Sequence, residues 1–169
     1  MAKPLPDIVE PGLSVIFCGL NPGLSAAAEG HHFVGRGNRF WRVLHLAGFT
    51  PEQIAPEQDA SLLAYGLGVT SVVERPTAGV DDLARREFVA AAEAFEQWVR
   101  RYAPRHVAFL GKAAYADMMG RQSVSWGRQT EPFGGAIAWV LPNPSGRNLA
   151  FSQDALVTAY RELRLFAEV

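Results

Sequence analysis

Two short segments of this 169-residue chain have side chains and spacing suited to chemistry. One is Gly19-Leu20-Asn21-Pro22-Gly23 and the other is Pro142-Asn143-Pro144-Ser145-Gly146. In each an Asn is followed by Pro, which biases the Asn backbone towards extended geometry and stiffens the turn. A carboxamide offers an acceptor oxygen and two donor hydrogens, so two of them facing one crevice suit a planar, amide-bearing ligand such as a nucleobase. Singly, either Asn-Pro is better read as turn chemistry. The matched pair, each following an apolar run, is what points to a site.

Phe33 is a third candidate. It lies between Glu29-Gly30-His31-His32 and Gly35-Arg36-Gly37, where no core stripe requires an aromatic. It could close a pocket and stack on a base, or simply anchor its loop. Other constellations fall away. No G-x-S-x-G surrounds Ser145, and the glycines near Gly19 fit neither a dinucleotide fingerprint nor a phosphate-binding P-loop. His31 and His32 are adjacent, so on a strand they would face opposite ways, and solvated loop residues are the expectation. Cys18, inside an apolar run, reads as a small core residue, and Trp41, Trp98 and Trp139 also read as core.

The elements that must position these loops are readable from apolar periodicity. Leu13–Cys18, Gly68–Val73, His106–Leu110 and Ala136–Leu141 are short apolar runs expected to be strands buried on both faces. Phe88, Ala92, Phe95, Val99 and Tyr102 recur at steps of four and three, giving one helix face that Pro104 ends. Leu156, Tyr160, Leu163 and Phe166 mark a C-terminal helix with Ser152 as N-cap. Further helices are expected over Asn38–Ala47 and from Lys112. Strands alternating with helices predict one α/β domain over residues 1–169. Its three α/β/α layers enclose a mostly parallel sheet of about four strands, with the ligand at the strands' carboxyl ends.

Composition bounds the rest. One cysteine excludes an intramolecular disulfide and a cysteine-ligated cluster, and no metal or other cofactor is expected. No apolar run approaches the ~20 residues of a membrane span, and Met1 to Pro11 carries three prolines and no apolar core. A soluble, monomeric, cytoplasmic protein is the expectation. The net charge of −1 conceals a segregation: residues 100–150 carry seven basic and two acidic side chains, whereas 51–99 carry three and nine. A basic region of that kind suits a polyanion, or reflects ordinary segregation along helices and loops.

Across these motifs the chain resembles a known family. FCGLNPGLS at Phe17–Ser25, NRFW at Asn38–Trp41, GVTSVVERPT at Gly68–Thr77, LGKAAY at Leu110–Tyr115 and VLPNPSG at Val140–Gly146 are similar, in this order, to the mismatch-specific uracil/thymine-DNA glycosylases, the bacterial Mug group. The resemblance implies a uracil-glycosylase α/β fold and removal of uracil, chiefly opposite guanine, from double-stranded DNA. It implies that Asn21 positions water, that Phe33 stacks on the flipped base, and that Asn143 lies beside the scissile sugar and phosphate. Leu20, Gly23, Phe33 and Ser71 would line the base pocket. Gly23 stands where strict uracil enzymes have a bulky aromatic, implying a roomier pocket. Ser145, Gly146, Arg147 and Leu149 would form the DNA-contacting wedge, with Lys112 and Arg128 on phosphates.

The sequence departs from the family at three places. Arg147 stands where Leu is usual, leaving Arg147 or Leu149 as the wedge. Ser71 replaces a Lys or Asn of some members, and Ala26 a Ser. No lysine is placed as a Schiff-base nucleophile, so a monofunctional hydrolase is expected. Glu29 is a rival to Asn21 for activating water. Two other readings stay open: a mismatch-binding module without turnover, and a small-molecule nucleoside hydrolase.

Overall fold

A computed structural model describes residues 5–79 and 82–169; the first four residues of the proline-bearing N-terminal segment lie outside it. Four parallel strands form where the apolar runs predict them: β1 (Val15–Gly19), β2 (Leu67–Ser71), β3 (His106–Phe109) and β5 (Ile137–Val140). A fifth strand, β4 (Gly127–Arg128), pairs antiparallel with β5 and corrects the count from four to five. It escaped detection because two residues, one a glycine and one charged, carry no apolar signal. The sheet order is β2-β1-β3-β5-β4.

Helices α2 (Phe40–Leu46), α3 (Arg85–Tyr102), α4 (Lys112–Met119) and α5 (Gln153–Ala167) match the predicted segments. Helix α2 starts two residues after Asn38, whose side-chain oxygen accepts from the Phe40 N–H at 2.9 Å and turns the chain into the helix. Ser152 caps α5 by accepting from the Ala155 N–H. A short helix α1 (Leu24–Glu29) and a 3-10 segment (Pro56–Tyr65) had no periodic signature.

The alternation of β1 shows how the core is divided. Val15 and Phe17 join Phe40, Leu44, Leu156 and Tyr160 on the side of α2 and α5. Ile16 and Cys18 join Phe95, Val99, Phe109 and Tyr115 on the side of α3 and α4. Successive side chains of a strand point to opposite faces, so a continuous apolar run is what a strand covered on both sides requires. Trp41 and Trp139 are buried as expected, while Trp98 is only partly so and stacks on Phe95. The N-terminal arm closes the β2 edge with a reciprocal pair of hydrogen bonds between Ile8 and Val69. No helix among the described residues is long and apolar enough to cross a membrane.

The chain passes from β1 to β2 on one side and then to β3 on the other. The loops that follow β1, β2, β3 and β5 therefore converge at one end of the sheet, where such folds leave a crevice.

Candidate functional site

The loop after β2 is zipped to the loop after β1. Val72, Val73 and Thr77 donate their N–H groups to the carbonyls of Gly19, Leu20 and Pro22, at 2.9, 3.0 and 3.1 Å. Within this frame Asn21 Nδ2 donates to the Arg75 carbonyl at 2.9 Å and to Thr77 Oγ1 at 2.8 Å. A backbone carbonyl can only accept, which fixes the carboxamide orientation. Thr77 gives its own hydrogen to the Gly79 carbonyl at 2.7 Å and so can only accept from Asn21. Asn21 Oδ1 is left without a partner among the described residues, as an acceptor at the cavity.

The segment is braced from behind. The Arg75 guanidinium holds both Glu87 oxygens, at 2.8 and 2.9 Å, and Glu87 also accepts the Ala84 N–H at the start of α3. Those bonds, the Arg75 one foremost, hold the Glu87 carboxyl down at about 2.

The loop after β5 leaves the opposite polarity. Asn143 Oδ1 accepts from the Ser145 N–H at 2.9 Å, and the Asn143 carbonyl accepts from Asn148 Nδ2 at 2.9 Å. Its own Nδ2 has no partner among the described residues. Arg39 gathers the loop from outside: its guanidinium donates to the carbonyls of Phe151, Ser145 and Asn148 at 2.8, 3.0 and 3.0 Å, and its N–H to Pro144 at 3.0 Å. Gly146 meets the Gly35–Gly37 turn so closely that a Cβ there would stand 2.8 Å from the Gly37 carbonyl oxygen.

Phe33 sits between the two loops. It adopts φ of 56°, unusual for a residue with a side chain, and stacks on Phe40 with ring centres 4.1 Å apart. Its ring also borders Gly19, where a Cβ would come within 3.5 Å of it. His32 corrects the expectation of a solvated residue. It is buried, its N–H donates to Asp59 Oδ2 at 3.0 Å, and its carbonyl accepts from Trp41 Nε1 at 3.0 Å. Its Nε2 lies 2.6 Å from the Pro6 carbonyl, and because that carbonyl only accepts, Nε2 carries the hydrogen. Burial pulls the His32 pKa below its usual value, so the ring stays neutral and anchors the loop that bears Phe33. Cys18 is buried and its thiol pKa is pushed up by desolvation, as befits a core residue rather than a nucleophile.

The loops enclose a cavity of about 1200 Å³. Leu20, Asn21, Gly23, Phe33 and Ser71 line it, together with Lys112, Asn143, Ser145, Gly146 and Arg147. A Cβ at Gly23 would meet nothing within 4 Å. Two predicted residues are not brought in. Arg128 lies on β4 with its guanidinium 4.4 Å from the Phe166 ring centre, and it does not line the cavity. Leu149 is outside as well, 91 % exposed on the turn that follows Arg147. Arg147 lines the cavity, with its guanidinium close against Gly79.

Glu29 ends α1, exposed and outside the lining. The carboxylate that does line the cavity among the described residues, Asp117, is paired with Arg85 at 3.4 Å. Arg36, Lys112 and Arg147 add three further cations to the wall. Among the described residues no cluster of His, Cys, Asp and Glu is arranged to hold a metal ion.

Arg36, Arg39, Thr77 and Trp126 are site residues that the sequence did not single out. Arg39 and Thr77 lie inside recognised motifs, but their work is done on partners distant in sequence. Trp126, 43 % exposed at the cavity, lies in a stretch without periodicity.

A family model described as the uracil DNA glycosylase superfamily matches residues 6–164. The chain belongs to that superfamily. Its members are DNA glycosylases, hydrolases of DNA repair. Among solved structures, a candidate uracil DNA glycosylase from Methanosarcina acetivorans, determined by NMR in solution, is similar with a TM-score of 0.57. The two are 19% identical, over 96% of this chain and 98% of that one, a likeness that establishes the fold. The matched span contains both Asn-Pro loops and the strands that carry them.

Proposed function

We propose that this superfamily member is a monofunctional glycosylase that removes uracil from mismatched double-stranded DNA, chiefly G·U, leaving an abasic site. The observation that carries the reading is the opposite polarity of the two Asn side chains in one cavity bordered by Phe33. Asn21 Oδ1 is free to accept from a water, and Asn143 Nδ2 is free to donate to an oxygen of the base or the sugar-phosphate.

The bond to be broken lies within the duplex stack, so the nucleotide must be flipped, at a cost of a few kcal/mol that is least for a poorly paired base such as G·U. The base then stacks on Phe33. Cleavage separates a sugar cation from a uracil anion, and Asn143 Nδ2 with backbone N–H groups of the Gly19–Ser25 loop stabilises the negative charge. Asn21 orients the water that attacks the sugar. An amide is too weak a base to deprotonate that water early, and Asp117 is committed to Arg85. General-base catalysis is commonly worth about 10²–10⁴-fold, so a slow enzyme dependent on leaving-group acidity follows.

Two details refine the specificity. The open space at Gly23 supports a pocket that admits a 5-methyl group or a larger base. The exposure of Leu149, and the contact that already occupies the Arg147 guanidinium at Gly79, favour Leu149 as the wedge that fills the gap left by the flipped nucleotide. Arg147, Arg36 and Lys112 then serve phosphates.

The test is single-turnover uracil release from a duplex with one central G·U. Wild type should give alkali-dependent strand cleavage, and Asn21→Ala should slow it about 100-fold or more, the penalty of a mispositioned reactant. Tight binding without base release would replace the enzyme by a binding module. Release undiminished in the variant would remove Asn21 from its role.

A further inference from the structure

Trp126 is an exposed indole on a pinned turn. Gln129 Nε2 donates to the carbonyls on either side of it, Ser125 at 2.7 Å and Gly127 at 2.9 Å. Phe151, itself packed on the core, meets the indole edge-on at 5.1 Å. Lys112 Nζ stands 4.5 Å from the ring centre. Trp126 belongs to neither core cluster and keeps 43 % of its surface exposed at the cavity.

Position and room point to a ligand. Phe33 borders the end of β1, whereas Lys112 follows β3 and Trp126 precedes β4, further along the sheet. The cavity they share, about 1200 Å³, exceeds the ~300–1,000 Å³ typical of a small-ligand pocket and is far more than one nucleobase fills. With Lys112 over one face of the indole, a base would stack on the other, and an aromatic ring paired with a cation in this way is a combination that binds unpaired nucleic acid, the cation meeting a phosphate.

We infer that Trp126 and Lys112 form a second stacking site, which takes an unpaired nucleobase next to the one being excised. This rests on the glycosylase reading of the cavity. In a duplex the neighbours of a flipped nucleotide remain paired and stacked and cannot reach the ring. In a single strand they are free, so the site serves single-stranded DNA.

The experiment uses uracil-free DNA, so that it stands apart from catalysis. Intrinsic tryptophan fluorescence is titrated with a short strand of cytosine and adenine, free of thymine as well, and, separately, with the same strand annealed to its complement. Wild type should be quenched by the single strand. Trp126→Phe should bind it with that quench lost, and Trp126→Ala should weaken single-strand binding about 5- to 150-fold relative to duplex binding, the range expected for one lost base stack. A quench that survives Trp126→Phe, or equal effects of Trp126→Ala on both DNAs, would overturn the second site. Failure of the glycosylase reading would show elsewhere, as absence of uracil release from the G·U duplex by wild type.

Discussion

The loops at Asn21 and Asn143 share an Asn-Pro followed by glycine and do opposite things. Asn21 spends both amide hydrogens on Arg75 and Thr77, partners 54 and 56 residues away, and keeps its oxygen. Asn143 spends its oxygen on Ser145, two residues on, and keeps its hydrogens. One carboxamide is set by tertiary contact and the other by its own turn. In the proposed reaction, that complementarity is what would let one cavity hold both a nucleophilic water and an anionic leaving group. The polarity of an Asn in a site is therefore a property of its partners, and a motif that names only the Asn does not contain it.

Aspartate at each position breaks this comparison most sharply. Asn143→Asp keeps the bond to the Ser145 N–H but puts an anion where, in the proposed reaction, a donor faces the departing base. Losing a single such donor typically costs about 10²–10³-fold, and the added charge should make the loss larger still. Asn21→Asp keeps an oxygen towards the cavity while losing the two donated hydrogens. Thr77 can turn its hydroxyl to meet the new carboxylate, and about a tenfold loss is expected, on the scale of ~1.4 kcal/mol. Single-turnover uracil release at saturating G·U duplex ranks the two. The reverse order would mean that the roles of the two side chains are exchanged.

The contrast also explains what could be read beforehand. β1, β2, β3 and β5 were legible because burial on both faces demands continuous apolar runs, and α3 and α5 because one stripe of Phe, Val, Leu and Tyr recurs at helical spacing. β4 was not, since its two residues are held by pairing with β5 rather than by their own apolarity. The site residues fell along the same divide. Asn21, Asn143 and Gly23 stand in local motifs, and Phe33 stands out from the polar, glycine-bearing loop around it. Arg39, whose reach to Phe151 spans 112 positions, and Thr77, whose hydroxyl polarity depends on Gly79, are defined only once the loops meet. His32 reads as solvated because nothing local predicts that Pro6 and Asp59 will enclose it.

The glycines of the two loops sharpen the comparison at a smaller scale. Gly146→Ala would set a Cβ 2.8 Å from the Gly37 carbonyl oxygen, a backbone atom with no rotamer to yield, and overpacking of this sort costs about 1–3 kcal/mol. Gly23→Ala has no neighbour within 4 Å and its backbone is extended, at φ −68° and ψ 161°. Its stability should change by less than about 0.5 kcal/mol, the ordinary range for a surface substitution. Thermal melts of the two variants should therefore separate by several degrees. Equal melting temperatures would show that the loop after β5 can shift away from Gly37 at little cost.

The smallest effect lies behind Asn21, in the pair that braces Arg75. Glu87 has its carboxyl held at about 2 in the folded protein, against an ordinary value near 4.5. A folded-state pKa below the unfolded one adds stability that is complete above the unfolded value and is lost as pH falls through the folded one. Melting temperature should accordingly decline between about pH 5 and pH 2 in wild type, and Glu87→Gln should flatten that decline by removing the titrating group. At neutral pH the same substitution weakens the grip on Arg75, whose carbonyl holds the Asn21 amide, and uracil release should slow by a few fold. Were the pH dependence to flatten with the rate unaltered, the Asn21 oxygen would be held by the main-chain zip of Val72, Val73 and Thr77 alone. The tertiary setting of Asn21 would then be as self-sufficient as the local turn that sets Asn143.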